Sequence, residues 1–399
     1  MAKRPSSDRQ RRSLVVNPAT LNCAVLSLAL AQAFFVASTA LACPFCTAVA
    51  PSLAQWREQS EVVALAEVVA APAAGLTTLE LHQVLSGREN LRDVHSLKVQ
   101  LDAAVKPGGL VLLFGKAASG DDKELTWHAA AVNEISFAYF SRAPALKLPT
   151  AERLRYFGRF LEHADPLVAE DAYLEFGHAP FDQVAQAADS LSLADLRRWL
   201  VDPKVPPHRK GFYGLAVGLR AQGDQRAAAA EFLRTLIIQP EDDFRSGFDG
   251  VLGGYLLLAG EPGLELIESR YLANPKARDG DVRHALTALR FYHEYGQEIT
   301  TARLSQAVAR LLTREEFAEA AIVDLARWQC WDALDLVTAV YERPTSELRA
   351  RRAVIGYLLA CPGAAARNAL ARLRANDPRG VADAEQVLSQ TSGTAASEQ

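Results

Sequence analysis

The sequence predicts an α+β multidomain protein, a small closed β-barrel followed by an α-solenoid. Three observations carry this. Residues 61–140 read as short β-rich runs separated by Gly, Pro, Asp or Asn, with Thr78, Glu80 and His82 alternating with Leu79 and Leu81. From about Ala145 the apolar spacing becomes helical. The helical half also repeats itself, with anchor residues at 169, 211, 247, 285, 321 and 353. The composition agrees: 49 % of 399 residues are hydrophobic and 23 % charged, which supplies a core and excludes a disordered chain.

The chain opens on a basic stretch, residues 1–12, with Lys3, Arg4, Arg9, Arg11 and Arg12 against Asp8 alone. No charged residue follows from Ser13 to Trp56. Residues 23–42 are uncharged and apolar enough to enter a bilayer, and they end in Ala40-Leu41-Ala42, the small-x-small pattern of a signal-peptidase site. Residues 1–42 are therefore expected to be a signal peptide. Cleavage after Ala42, an uncleaved anchor through 22–42, and lipid attachment at Cys43 are the three open outcomes. Each places the body in the periplasm or outside the cell. Arg11-Arg12 also fits a twin-arginine route. Removing the leader takes away five basic residues and one acidic one, which turns a net charge of −4 into −8. That charge excludes electrostatic binding of nucleic acid or of an anionic membrane.

Export permits disulfides. Beyond the leader the cysteines are Cys43, Cys46, Cys330 and Cys361. Sequence proximity favours the pairs Cys43–Cys46 and Cys330–Cys361, although the second two also suit small core positions. Cys43-Pro44-Phe45-Cys46 admits a redox reading beside the structural one, because a helix over 47–58 would stabilise a thiolate at its start. Haem attachment needs His at 47, where Thr47 stands, and zinc needs further ligands before His82.

Five strands are expected: Glu61–Ala71, Leu76–Leu85, His95–Leu101, Leu110–Lys116 and Glu124–Val132. Turn residues at 105–109 and 119–122 separate them. Five short strands in about 80 residues suit a closed barrel of the OB type. The leading cysteines, the strand SEVVALAEVV, the turn at Val84-Leu85-Ser86-Gly87 and the strand after Gly108-Gly109 make 43–140 resemble the netrin-like module of tissue inhibitors of metalloproteinases. That resemblance implies a metalloprotease inhibitor whose exposed terminal Cys43 chelates the protease's zinc. The family begins C-x-C and bonds within the domain, whereas this chain has C-x-x-C and no further cysteine before Cys330.

Residues 150–163 carry apolar side chains at 154, 157, 160 and 161, one face of a helix. Asp165-Pro166 is a helix start, with Asp165 as cap and proline in the first turn. The motif Arg209-Lys-Gly211-Phe212-Tyr-Gly214 recurs as Arg245-Ser-Gly247-Phe248-Asp-Gly250, 36 residues on. Weaker copies follow at Arg283 and Arg351. Small residues at i, i+3 and i+7 let neighbouring helices approach closely. Helix pairs at this period make 146–388 resemble HEAT-type repeats. Residues 389–399 are polar and are expected to form a disordered tail.

No motif names an activity. The densest group of ligand-type side chains is Glu162, His163, Asp165, Glu170, Asp171, Glu175 and His178. Asp171, Glu175 and His178 share a helix face, where an acid–base or metal site competes with a plain solvated surface. Asp242, Asp243 and Asp249 lack calcium-loop spacing. Arg209, Arg245, Arg283 and Arg351 occupy equivalent repeat positions, and they either line one groove for an acidic partner or pair with carboxylates of neighbouring repeats. Trp328 and Trp331, flanking Cys330, are expected in the core. The resulting expectation is an exported, non-enzymatic interaction or scaffold protein that uses no cofactor or metal and takes a protein or peptide on the solenoid face. A thiol-redox protein using Cys43 and Cys46, and the netrin-like inhibitor, are the rival readings.

Overall fold

A computed structural model describes residues 44–46, 50–71, 75–91, 94–101, 105–117, 125–239 and 245–397. The expected leader, Cys43 and Asp242-Asp243 lie outside them. Residues 42–399 form one compact unit.

The first element is a short helix, α1 (Leu53–Gln59). Ser52 caps it: the Gln55 amide donates to Ser52 Oγ, and the Ser52 amide donates to Gln55 Oε1. Five strands follow, β1 (Val62–Ala70), β2 (Thr77–Ser86), β3 (Ser96–Val99), β4 (Leu110–Ala117) and β5 (Leu125–Val132), each end within two residues of its expected bound. They pair antiparallel in the order β3-β2-β1-β4-β5. The sheet is a curled half-barrel rather than the closed barrel expected. Among the described residues β3 and β5 are its edges. Register shifts along the β1–β2 pair, between Val63/Ala64, Leu65/Ala66 and Val68/Ala70, bend the sheet. Strand β3 is only four residues long, which limits how far it can pair.

The pleat sends alternate residues of β4 to two cores. Leu112 and Phe114 join the large core shared with the helices, while Val111 and Leu113 join Ala66, Val68, Leu79 and Val99 inside the curl. The first of these two cores joins the sheet to the helices, and the second belongs to the sheet alone.

Seventeen helices are described in all. After the sheet come α2 (Glu134–Arg142), α3 (Thr150–Phe157), α4 (Pro166–His178), α5 (Phe181–Ala187) and α6 (Leu193–Val201). Then follow α7 (Pro207–Arg220), α8 (Gln225–Ile238), α9 (Phe248–Ala259), α10 (Glu261–Ile267), α11 (Asp279–Tyr295) and α12 (Thr301–Ala309). The last are α13 (Glu315–Arg327), α14 (Leu334–Tyr341), α15 (Leu348–Ala360), α16 (Ala364–Asn376) and α17 (Pro378–Ser397). Asp165 caps α4 as expected, accepting from the Leu167 and Val168 amides, with Pro166 in the first turn. Helix α17 continues to Ser397, through most of the stretch expected to be a disordered tail. Its alanines, glutamines and serines are compatible with continuing a helix already anchored by buried Val381 and Ala384. Among the described residues no helix is long and apolar enough to cross a membrane.

The sequence anchors fall on α4, α7, α11, α13 and α15, with Gly247 as the N-cap of α9. Helices α7, α9 and α11 pack in succession, as do α13, α15 and α17. The α7–α9 contact is backbone against backbone. A Cβ on Gly218 would sit 2.6 Å from Gly254, and one on Gly214 would sit 2.6 Å from the Val251 amide. Gly247 has φ 75°, a left-handed conformation that glycine adopts without steric cost.

Candidate functional site

Helix α4 is buried along most of its length, and that burial includes two carboxylates, Asp171 and Glu175. They stand one turn apart and grip the start of α1. The Leu53 amide donates to Asp171 Oδ1 at 2.6 Å, and the Tyr139 hydroxyl donates to Oδ2 at 2.7 Å. The Ser52 hydroxyl donates to Glu175 Oε1 at 2.5 Å, and the Arg153 guanidinium pairs with Oε2. His178 Nε2 lies 2.7 Å from the Ala50 carbonyl oxygen. Arg57 donates to the Phe140 carbonyl at 2.5 Å with its guanidinium over the Phe140 ring. Ser52 thus caps α1 and at the same time ties that cap to α4.

Burial pushes the Asp171 carboxyl up to about 6, against the pull of the Leu53 amide and the Tyr139 hydroxyl. Burial also raises Glu175, opposed chiefly by Arg153. Burial, reinforced by Asp171, holds the Tyr139 hydroxyl protonated. A carboxyl raised in the folded state stabilises the fold most below its unfolded value and loses that contribution as pH rises through the folded one. Asp171 should therefore make stability fall as pH climbs from about 4 to about 6. In Asp171→Asn this part of the slope should vanish, as read from urea unfolding at a series of pH values. An unchanged slope would remove Asp171 as its source.

The other members of the acidic group are drawn elsewhere. Glu162 and Glu170 pair with Arg209 at 3.0 and 2.5 Å, and Asp165 is a cap. Among the described residues no group of His, Cys, Asp and Glu is arranged to hold a metal ion. The acidic pair on α4 is inside the protein, so its chemistry is that of an anchor: it binds backbone and hydroxyl donors of the N-terminal segment. Asp171 and Glu175 were singled out from helical spacing. Ser52, Tyr139 and Arg153 were not, although the Ser52-x-x-Gln55 capping box marks the first of them.

No protein-family model matches the chain, and no curated protein matches it. Among solved structures the chain is similar to human deoxyhypusine hydroxylase in complex with glycerol, at 17 % identity over 60 % of this chain and 95 % of that one. The TM-score is 0.27, so the likeness carries no argument.

The four repeat arginines are placed differently from one another. Arg209 is buried on its two glutamates. Arg245 pairs with Asp281 at 3.1 Å and lies 3.3 Å over the Phe248 ring. Arg283 is exposed, with its guanidinium 5.3 Å from the Phe317 ring. Arg351 donates to the Arg343 carbonyl and faces Tyr341. Two of the four are thus committed to pairs between helices.

Cys46 is disulfide-bonded, and its expected partner Cys43 lies outside the described residues, as does the zinc-chelating role that the netrin-like resemblance assigns there. Cys330 and Cys361 are free thiols, so the second expected disulfide is absent. Each is held by local packing instead. Tyr357 donates to the Cys330 carbonyl, and Cys361, 7 % exposed, ends α15. Burial raises the Cys361 thiol. A maleimide should label Cys330 well ahead of Cys361 in the native protein and both at once in denaturant. Resistance of both to labelling in unreduced denatured protein would restore the disulfide. Trp328 stacks on His293 at 4.4 Å and Trp331 meets Tyr357 edge-on, both half-buried against the core rather than within it.

Proposed function

We propose that this chain is an exported, non-enzymatic interaction or scaffold protein, in which an OB-like half-barrel and a HEAT-like solenoid form one rigid body. One observation carries the reading: five side-chain ties between neighbouring helices or their ends span nearly the same sequence separation, beside two longer ones of 42 residues. Arg245–Asp281, Arg290–Asp324, Arg303–Glu268, Arg314–Asp279 and Tyr341–Asp377 link residues 34 to 36 apart, at 2.7 to 3.3 Å. Such ties between successive repeats stiffen a stack whose surface is then free to present a partner face. Export rests on the basic, apolar and small-x-small order of residues 1–42.

The test is site-specific photo-crosslinking in the native cell envelope. Exposed apolar positions on the helices, Val201, Leu336, Leu348 and Leu359, carry the cross-linker one at a time. The expected result is one protein, identified by mass spectrometry, captured at neighbouring positions and not at distant ones. Capture at none of them, with catalytic turnover of a thiol substrate by the purified protein, would contradict the reading.

A further inference from the structure

Helix α2, the 3-10 turn after α3 (Gly158–Phe160) and the start of α4 enclose an aromatic cleft of about 400 Å³. Its walls are Tyr139, Tyr156, Phe160 and His163. Tyr139 meets Phe160 edge-on at 5.0 Å, and Tyr156 lies 5.1 Å from Phe160. Hydrogen bonds hold these walls in place: the Tyr139 hydroxyl donates to Asp171 at 2.7 Å, and the Tyr156 hydroxyl donates to the Tyr139 carbonyl at 3.2 Å. A ligand therefore meets a preformed site. Ile135, 58 % exposed, extends the apolar lining toward solvent. The charges sit at opposite ends of α2. Exposed Arg142 ends the helix, and exposed Arg159 holds its guanidinium 5.6 Å from the Tyr156 ring. Burial raises the Tyr156 hydroxyl, and Arg159 and Arg142 both oppose it, so two cations act at one ring. Exposed Glu134 begins the helix, eight residues or about 12 Å away. Nearby carboxylates are committed elsewhere: Glu162 and Glu170 to Arg209, Glu175 to Arg153, and Asp165 as a cap. Among the described residues, Arg142, Arg159 and Glu134 form no ion pair.

We propose that this cleft binds the C-terminal end of a partner polypeptide, with the terminal carboxylate on Arg142 and Arg159, the last side chain among Tyr139, Tyr156 and Phe160, and a basic residue about three positions earlier facing Glu134. The guanidinium fork is shaped for a carboxylate. Its place beside the Tyr156 ring selects the chain end. A terminal residue carries its carboxylate and its apolar side chain on one Cα, so the charge adjoins the group that fills the ring site. An internal Asp or Glu sets its charge a residue away from its apolar neighbour. An extended chain advances about 3.3 Å per residue, so the span of about 12 Å to Glu134 is three to four residues. This deepens the reading as an interaction protein by giving it a ligand and a site. Cross-linking from Val201 or Leu359 can fail while the peptide still binds, so the two fall separately.

Fluorescence anisotropy on the full chain tests this. The probes are fluorescein-labelled peptides Gly-Gly-Lys-Ala-Ala-Leu, and the same ending in Phe or Val, each with a free terminal carboxylate. Companions end in a carboxamide or carry Gln in place of Lys. At least one free acid should bind saturably, and its carboxamide should bind about tenfold more weakly or worse. Arg142→Gln and Arg159→Gln, both at exposed positions, should each weaken the free acid about tenfold and leave the carboxamide unchanged. Glu134→Gln should abolish the preference for Lys over Gln. Saturable binding by none of the three acids, equal binding of acid and carboxamide, or arginine variants that bind the acid as the unaltered chain does, each overturns the proposal.

Discussion

Gly250→Ala is expected to destabilise the protein by about 3 kcal/mol or more, although alanine is the better helix former by about 1 kcal/mol. The cost comes from the α7–α9 contact. A Cβ at position 250 falls well inside contact distance of the Gly211 carbonyl oxygen, with the rest of the Gly211 backbone just behind it. Backbone cannot rotate away as a side chain can, so the two helices must separate. Separation also disturbs buried Phe212, Leu215, Leu252 and Leu256 on the same helices. Gly356→Ala supplies the contrast within α15. Its new methyl would meet only Leu388 methyls at 3.6 and 3.7 Å, ordinary contact, so it should stabilise by about 0.5–1 kcal/mol. Urea unfolding of both variants measures the pair. Equal effects of the same sign would show that close helix approach does not set the glycine pattern.

Arg153→Met is expected to cost about 3–5 kcal/mol, because it leaves the Glu175 carboxylate buried without its cation. Arg153 and Glu175 are 7 % and 5 % exposed, so solvent does little to compensate either charge. The Ser52 hydroxyl still donates to Glu175, but one neutral donor does not replace a guanidinium. The double variant Arg153→Met/Glu175→Met should regain most of the loss, since two apolar side chains need no mutual compensation. A double variant as unstable as the single one would mean that the pair matters through shape rather than charge. Because Glu175 also holds the α1 cap, both variants should loosen residues 50–60 more than the distant helices.

The sequence made the strands and the repeat legible because both are written in local patterns. Val111 to Phe114 lie in an apolar run bounded by glycine and turn residues, which marks a buried strand without long-range information, whereas their division between two cores shows only in the structure. The 36-residue echo of Gly211-Phe212 in Gly247-Phe248 likewise marked the helices that stack. Helix α2 was not anticipated. Its sequence EISFAYFSR reads as well for a strand, and its start depends on Asn133 capping the Ile135 and Ser136 amides. Barrel closure failed for a related reason: whether β3 meets β5 depends on curvature, which register shifts along β1–β2 decide. The anchor was half legible. Spacing put Asp171 and Glu175 on one face, but their donors Ser52 and Leu53 lie 123 and 118 residues away, and no local pattern joins such groups. The arginines show the same limit. Equal repeat positions do not give equal surroundings, so Arg209 is buried while Arg283 is exposed.

The account turns on the N-terminal segment being built into the helical body by the α4 carboxylates. Native-state hydrogen exchange at the Leu53 amide tests that bond most directly. This amide donates to buried Asp171 at 2.6 Å. It should exchange only through large-scale unfolding, at a rate close to that of the core amides of α4, and should lose protection in Asp171→Ala. Exchange of Leu53 at the rate of an exposed loop, while α4 stays protected, would contradict the account.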